Sequence, residues 1–76
     1  MRAPLLVQFP WSLERYQVGF EMRNAPFVDR VRYEAAYQWC VDQFGGMYKN
    51  PRWYTKEGEF WFADPNDACA FKLVHG

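Results

Sequence analysis

Ser12, Thr55 and His75 are the only serine, threonine and histidine in this 76-residue chain. Nucleophilic and acid–base catalysis need particular side chains held within reach of one another, and this inventory offers little. His75 stands one residue from the C-terminus, where chains fray, so no Ser/His/Asp arrangement is expected. A Cys/His pair would need Cys40 or Cys69 beside His75. On a helix, Cys69 lies about 600° from it, roughly two-thirds of a turn out of phase. The absence of C-x-x-C and of a second histidine excludes a structural zinc. Glu57, Glu59 and Asp64 are turn carboxylates, and a hard cation needs several convergent oxygens, so they read as solvated. No G-x-G-x-x-G or Walker-type loop is present, and Gly45-Gly46 follows a helical pattern where a phosphate cradle would precede one. The expectation is a protein that is not an enzyme and has no metal and no cofactor.

Charge of one sign is missing too: nine basic residues balance nine acidic ones. No net field then favours nucleic acid or an anionic membrane. No stretch approaches the roughly 18 apolar residues of a membrane span. The opening MRAPLLVQFPWSL has one positive charge, but its apolar run is cut by Gln8 and Pro10 and no small-residue cleavage site follows. The chain reads as a mature, soluble, cytoplasmic single domain over residues 1–76, with no repeat and no low-complexity linker. Its two cysteines are too few for a disulfide scaffold and read as reduced, half-buried thiols on helices.

What the chain does have is aromatic rings, at 21% of its residues. A short chain leaves much of its surface wet, and a few rings burying about 150–250 Å² each give it a dense core. Tyr16, Val18, Phe20 and Met22 alternate with Gln17, Gly19, Glu21 and Arg23, which predicts a half-buried strand over 15–23. Residues 1–14 read as an N-terminal arm or, through LLVQF, a short edge strand bracketed by Pro4 and Pro10. From Asp29 to Phe44, a 100° spacing puts Tyr33, Ala36, Tyr37, Cys40 and Phe44 on one arc, with Asp29 as N-cap and Gly45-Gly46 as the stop. A second stripe of Val31, Ala35 and Trp39 demands another packing neighbour or a partner.

Residues 52–56 and 59–63 flank Glu57-Gly58, the chemistry of a β-hairpin. With Phe60 and Phe62 inward, Trp61 and one ring of the Trp53/Tyr54 pair face outward. Asp64, Pro65 and Asp67 then supply a cap, a proline for the first helical position and an acid at the positive helix end. They open a helix of about ten residues that turns Ala68 and Phe71 inward. The predicted order is βαββα: an α+β two-layer sandwich with two helices on one face of a short antiparallel sheet, similar to half of a ferredoxin-like fold.

The last stretch, EFWFADPNDACAFKLVHG, resembles short tailed-phage proteins of unknown function. In them an aromatic strand leads through an acidic turn into D-A-x-x-F-K-L and a terminal glycine. Phe60, Phe62, Asp64, Asp67, Ala68, Phe71, Lys72, Leu73 and Gly76 carry the match, while His75 replaces a larger aromatic. The resemblance implies a cytoplasmic accessory protein that binds and modulates a host or phage protein.

Tryptophan and arginine are enriched at interface hot spots, and a free sheet edge accepts a strand. The functional expectation is therefore a non-enzymatic protein-interaction module whose surface uses Trp39, Arg52, Trp53, Tyr54 and Trp61, with Arg30 a further candidate. A homodimer through the sheet edge or aromatic face satisfies the same features. The alternative is a single-stranded nucleic-acid binder, in which rings of PRWYTK and EFWF stack on bases and Lys49, Arg52 and Lys56 supply charge.

Overall fold

The computed structural model describes residues 6–22 and 30–75. Asp29, the expected helix cap, and the side chain of Arg30 lie outside the described residues. The alternation around Phe20 forms strand β2 (Val18–Met22), and the aromatic hairpin forms β3 (Trp53–Lys56) and β4 (Glu59–Phe62), with β1 (Leu6–Gln8) preceding them. Helix α1 spans Arg30–Phe44 and helix α2 spans Pro65–His75. All pairings are antiparallel and the spatial order is β1-β2-β4-β3.

The element order is thus ββαββα, which corrects the expected βαββα order and the ferredoxin-like half drawn from it. Its cause is β1. Leu6, Val7 and Gln8 pair with Met22, Glu21 and Phe20, a run short enough to sit between Pro4 and Pro10 without losing a ladder donor. Strand β4 lies between β2 and β3, so β2 and β3 run parallel to each other with α1 as their connection.

Register decides the two faces. Phe20 lies opposite Phe60, Val18 opposite Phe62, and Trp53 opposite Phe62, so these rings share the inner face. Both helices pack there. Tyr33 and Phe44 of α1 meet Phe60 and Phe62, with ring centroids 5.3 and 6.0 Å apart. Phe71 of α2 lies 5.9, 4.9 and 5.0 Å from Phe20, Phe60 and Phe62. Ala36, Cys40 and Ala68 complete the buried layer. Trp39, the ring of the second α1 stripe, finds its neighbour in α2, edge-on to Phe71 and His75.

The local signals act as their chemistry requires. Glu57 and Gly58 both have positive φ, as a two-residue type I′ turn demands, and Gly45 ends α1 at φ +90°. Asp64 Oδ1 accepts a 2.8 Å bond from the Asn66 amide, capping α2 with Pro65 in its first position. Within the sheet, Thr55 donates to the Glu59 carbonyl at 2.8 Å and receives the Tyr33 hydroxyl at 2.9 Å. One buried hydroxyl therefore ties α1 to the hairpin.

Candidate functional site

The outer sheet face begins with a missing side chain. Gly19 lies opposite Trp61 on the neighbouring strand, and a Cβ on Gly19 would stand 2.3 Å from Trp61 Cε3. The indole lies flat on the bare backbone. Phe9, whose amide bonds to the Gly19 carbonyl at 2.9 Å, stacks on Trp61 with centroids 5.1 Å apart and planes 10° from parallel. Trp11 stacks on Phe9 in turn at 5.0 Å. Trp61 Nε1 donates to Glu59 Oε1 at 3.0 Å, which satisfies its polar edge. Beyond this stack the chain turns back on itself through reciprocal Leu13–Tyr16 backbone bonds of 2.9 and 2.8 Å. Tyr16 then stacks on Tyr54 of β3 at 5.9 Å. Residues 9–16 thus cover much of the aromatic face.

That placement changes what the outer face can offer. Trp61 is 2% exposed and Trp53 0%, so the expected contact roles of both rings are corrected. Trp53 shares Phe62's face, edge-on to Tyr37, with Nε1 donating to the Gly45 carbonyl at 2.8 Å. Trp61 faces outward as expected but lies beneath Phe9. Trp39 is half-buried against α2. Arg52 is on the surface, yet its guanidinium binds both Asp67 oxygens at 3.1–3.3 Å and covers the Phe44 ring at 4.8 Å. Of the five expected contact residues, Tyr54 borders an open hollow.

That hollow, about 360 Å³, is lined by Glu14, Arg15, Tyr16, Met47, Lys49, Asn50 and Tyr54. A second, of about 350 Å³, adjoins it over Leu13, Glu14, Tyr16 and Tyr54. Together they make one cleft between the 13–16 turn and the 47–50 loop, with the two tyrosines between them. Both walls are held from within. Asn50 donates to the carbonyls of Phe44 and Gly46 at 2.9 and 3.0 Å and accepts the Arg52 amide at 2.9 Å. Met47 sulfur receives the Thr55 amide at 3.2 Å. Glu14 and Lys49, one on each wall, carry φ of 53° and 55°, a region that ordinary side chains enter at a cost.

The cleft's polar chemistry is compact. Among the described residues, Arg15 has no ion-pair partner, and the Lys49 ammonium has only the Tyr48 ring, 5.4 Å away. With Glu14 they give a mixed-sign rim carrying one excess positive charge. Trp11 and Tyr48, 59% and 85% exposed, extend apolar surface in the segments on either side.

The reactive groups expected at the sequence level lie elsewhere. Cys40 is buried, and burial pushes its thiol up to about 12. Cys69 is exposed on α2. His75 packs against Trp39 and Phe71, its backbone carbonyl accepts a bond from Arg32, and burial followed by the Arg32 charge holds its imidazole below the usual range. Among the described residues no three His, Cys, Asp or Glu side chains gather where they could hold a metal ion, and no helix is long and apolar enough to cross a membrane. Compared with known proteins, the chain matches no family model, no curated protein and no solved structure.

Sequence reasoning missed Glu14, Arg15 and Tyr16. The alternation places Arg15 and Tyr16 in a strand over 15–23 with Tyr16 on the face of Phe20, whereas β2 begins at Val18 and Tyr16 stacks on Tyr54 of the outer face. Lys49 was visible as a cation, but its nearness to Tyr16 depends on how the two loops meet across the sheet.

Proposed function

We propose that the chain is a small non-enzymatic protein-interaction module that engages its partner through the cleft between the 13–16 turn and the 47–50 loop. One observation carries this reading: half-buried aromatic rings, Tyr16 and Tyr54, and two cations, Arg15 and Lys49, that have no carboxylate partner among the described residues, line one concave place with internally bonded walls. Pre-held walls reduce the ordering cost of association, and tyrosine and arginine are frequent interface anchors. The non-enzymatic part is supported by the placement of reactive groups: Cys40 is buried as a thiol, and the Thr55 hydroxyl is committed to Glu59 and Tyr33. The resemblance of residues 59–76 to phage proteins supports an accessory role, binding and modulating a host or phage protein in the cytoplasm.

The test is affinity purification of the tagged full chain from cells of its source, with and without nuclease, at moderate and high salt. Wild type is run beside Arg15→Glu and Tyr54→Ala, each first shown to be folded. A protein retained after nuclease and high salt by wild type, and lost by both variants, is the expected result. Recovery of nucleic acid alone, falling steeply with salt as released counterions require, would replace this reading with the single-stranded nucleic-acid one. Retention unchanged in both variants would move the contact surface away from the cleft.

A further inference from the structure

We infer that the cleft selects a peptide segment in which an acidic side chain stands next to an aromatic one; this rests on the interaction-module reading above. The argument begins with size. Hollows of about 360 and 350 Å³ share Glu14, Tyr16 and Tyr54, so the site takes a few side chains rather than a folded surface. Its apolar lining is Leu13, Met47 and the tyrosine pair. An aromatic ring from a partner continues the existing stack, since offset ring pairs gain beyond their buried area.

Charge decides the neighbouring residue. Arg15 and Lys49 line the same hollow, and neither is neutralised by a carboxylate among the described residues. Glu14 lines it as well, so the excess is a single positive charge, which one carboxylate neutralises. A phosphodiester chain presents a charge at every step and is drawn by longer basic tracks. Here the basic groups lining the cleft are two, Arg15 and Lys49, offset in part by Glu14. A peptide gains in addition from Glu14, which can accept its backbone amides. Asn50 is spent on the loop itself and serves only to hold Lys49 in place.

The experiment titrates the full, isotopically labelled chain with blocked tetrapeptides and follows backbone amide signals. The probes are Ala-Asp-Phe-Ala, Ala-Asn-Phe-Ala and Ala-Asp-Ala-Ala, with a thymidine dinucleotide as competitor. The expected result is saturable shifts at residues 13–16, 47–50 and 54 with the Asp-Phe probe, and weaker binding of the other two peptides. Arg15→Gln and Lys49→Gln, both exposed changes, should each weaken the Asp-Phe probe by about two- to five-fold, the span of exposed ion pairs, with the difference shrinking at high salt. No saturable shift, equal binding of the Asn-Phe probe, or tighter binding of the dinucleotide at the same residues would overturn the inference. If cleft variants abolish capture of the cellular partner while the peptides show no selectivity, the inference fails and the module reading stands. If the peptide binds as expected and those variants leave capture unchanged, the site stands and the module reading fails.

Discussion

Replacing Gly19 by alanine adds one methyl group at a point where the fold has no room for it. The added carbon would lie 2.3, 2.4 and 2.5 Å from Trp61 Cε3, Cζ3 and Cδ2, against 3.4–4 Å for ordinary contact. The indole must therefore lift by about 1 Å or more. Phe9, stacked on Trp61 at 5.1 Å, must adjust with it. Backbone geometry adds nothing to this cost, because the positive-φ glycines are Gly45 and Gly58. If the stack yields by small shifts, the penalty is that of overpacking, about 1–3 kcal/mol. If the indole is expelled, re-exposing about 150–250 Å² at ~25 cal/mol per Å² costs about 4–6 kcal/mol. Against either stands a gain of about 0.4–1 kcal/mol from a stiffer unfolded chain.

Because three indole atoms clash at once, overpacking stands near its upper figure, and the net expectation for Gly19→Ala is a loss of about 2–2.6 kcal/mol, a large share of the few kcal/mol that hold a domain of this size. In a thermal scan that is a fall of roughly 10–20 °C. Urea denaturation followed by circular dichroism gives the loss directly, provided the slope is unchanged. The decisive comparison is a double-mutant cycle with Trp61→Leu. Once the indole is gone the extra methyl has space, so Gly19→Ala should become neutral or stabilising in that background. A loss below about 0.5 kcal/mol, within the usual additivity error of such cycles, would refute the account. So would an equal loss in both backgrounds.

Glu57 occupies a left-handed turn position at φ 49° that asparagine enters more readily. Glu57→Asn should therefore raise stability by about 0.5–1 kcal/mol, read as a higher urea midpoint. Two groups with shifted titration, the buried Cys40 and the half-buried His75, contribute to the pH dependence. Cys40 keeps its proton in the fold up to about 12 against an ordinary 9.0, so stability is full below 9.0 and falls as pH rises towards 12; Cys40→Ala should flatten that slope. His75 is held below its ordinary 6.5, so the unfolded chain takes up the proton first and stability falls as pH drops below 6.5. His75→Gln should remove that acidic slope in pH-dependent urea melts.

Much of the inner half of the fold was legible from periodicity. The α1 arc of Ala36 and Cys40, the inward Phe60 and Phe62, the Glu57-Gly58 turn and the Asp64 cap are local signals, each readable within a few residues. The outer half was not. Whether LLVQF pairs with β2 depends on a register between segments some fourteen residues apart, which no local pattern contains. Gly19 looked like one polar position of an alternating strand, whereas its lack of a side chain serves a ring on the neighbouring strand. Trp53 could not be assigned a face because the aromatic pair Trp53-Tyr54 fits either phase of alternation. Only the register Trp53 to Phe62 settles it. The cleft was hidden for the same reason: its two walls come from turns that meet across the sheet.

The fate of the tryptophans bears on where function can lie in so short a chain. Trp53 fills the inner face, Trp61 the outer face, and Trp39 the seam between the helices. Trp11 remains 59% exposed as the end of a stack. Each ring that was a plausible contact residue has a structural task first, because a single sheet with one helical layer leaves its second face to be covered by something. Here residues 9–16 cover it, and the cover is itself aromatic. On the reading proposed above, a partner is met at the margin of that cover, where Tyr16 and Tyr54 border the cleft and, among the described residues, Arg15 and Lys49 have no carboxylate partner. The same economy that takes the tryptophans for packing leaves such an interaction to tyrosines and to cations with no carboxylate partner among the described residues, on two short, internally bonded turns.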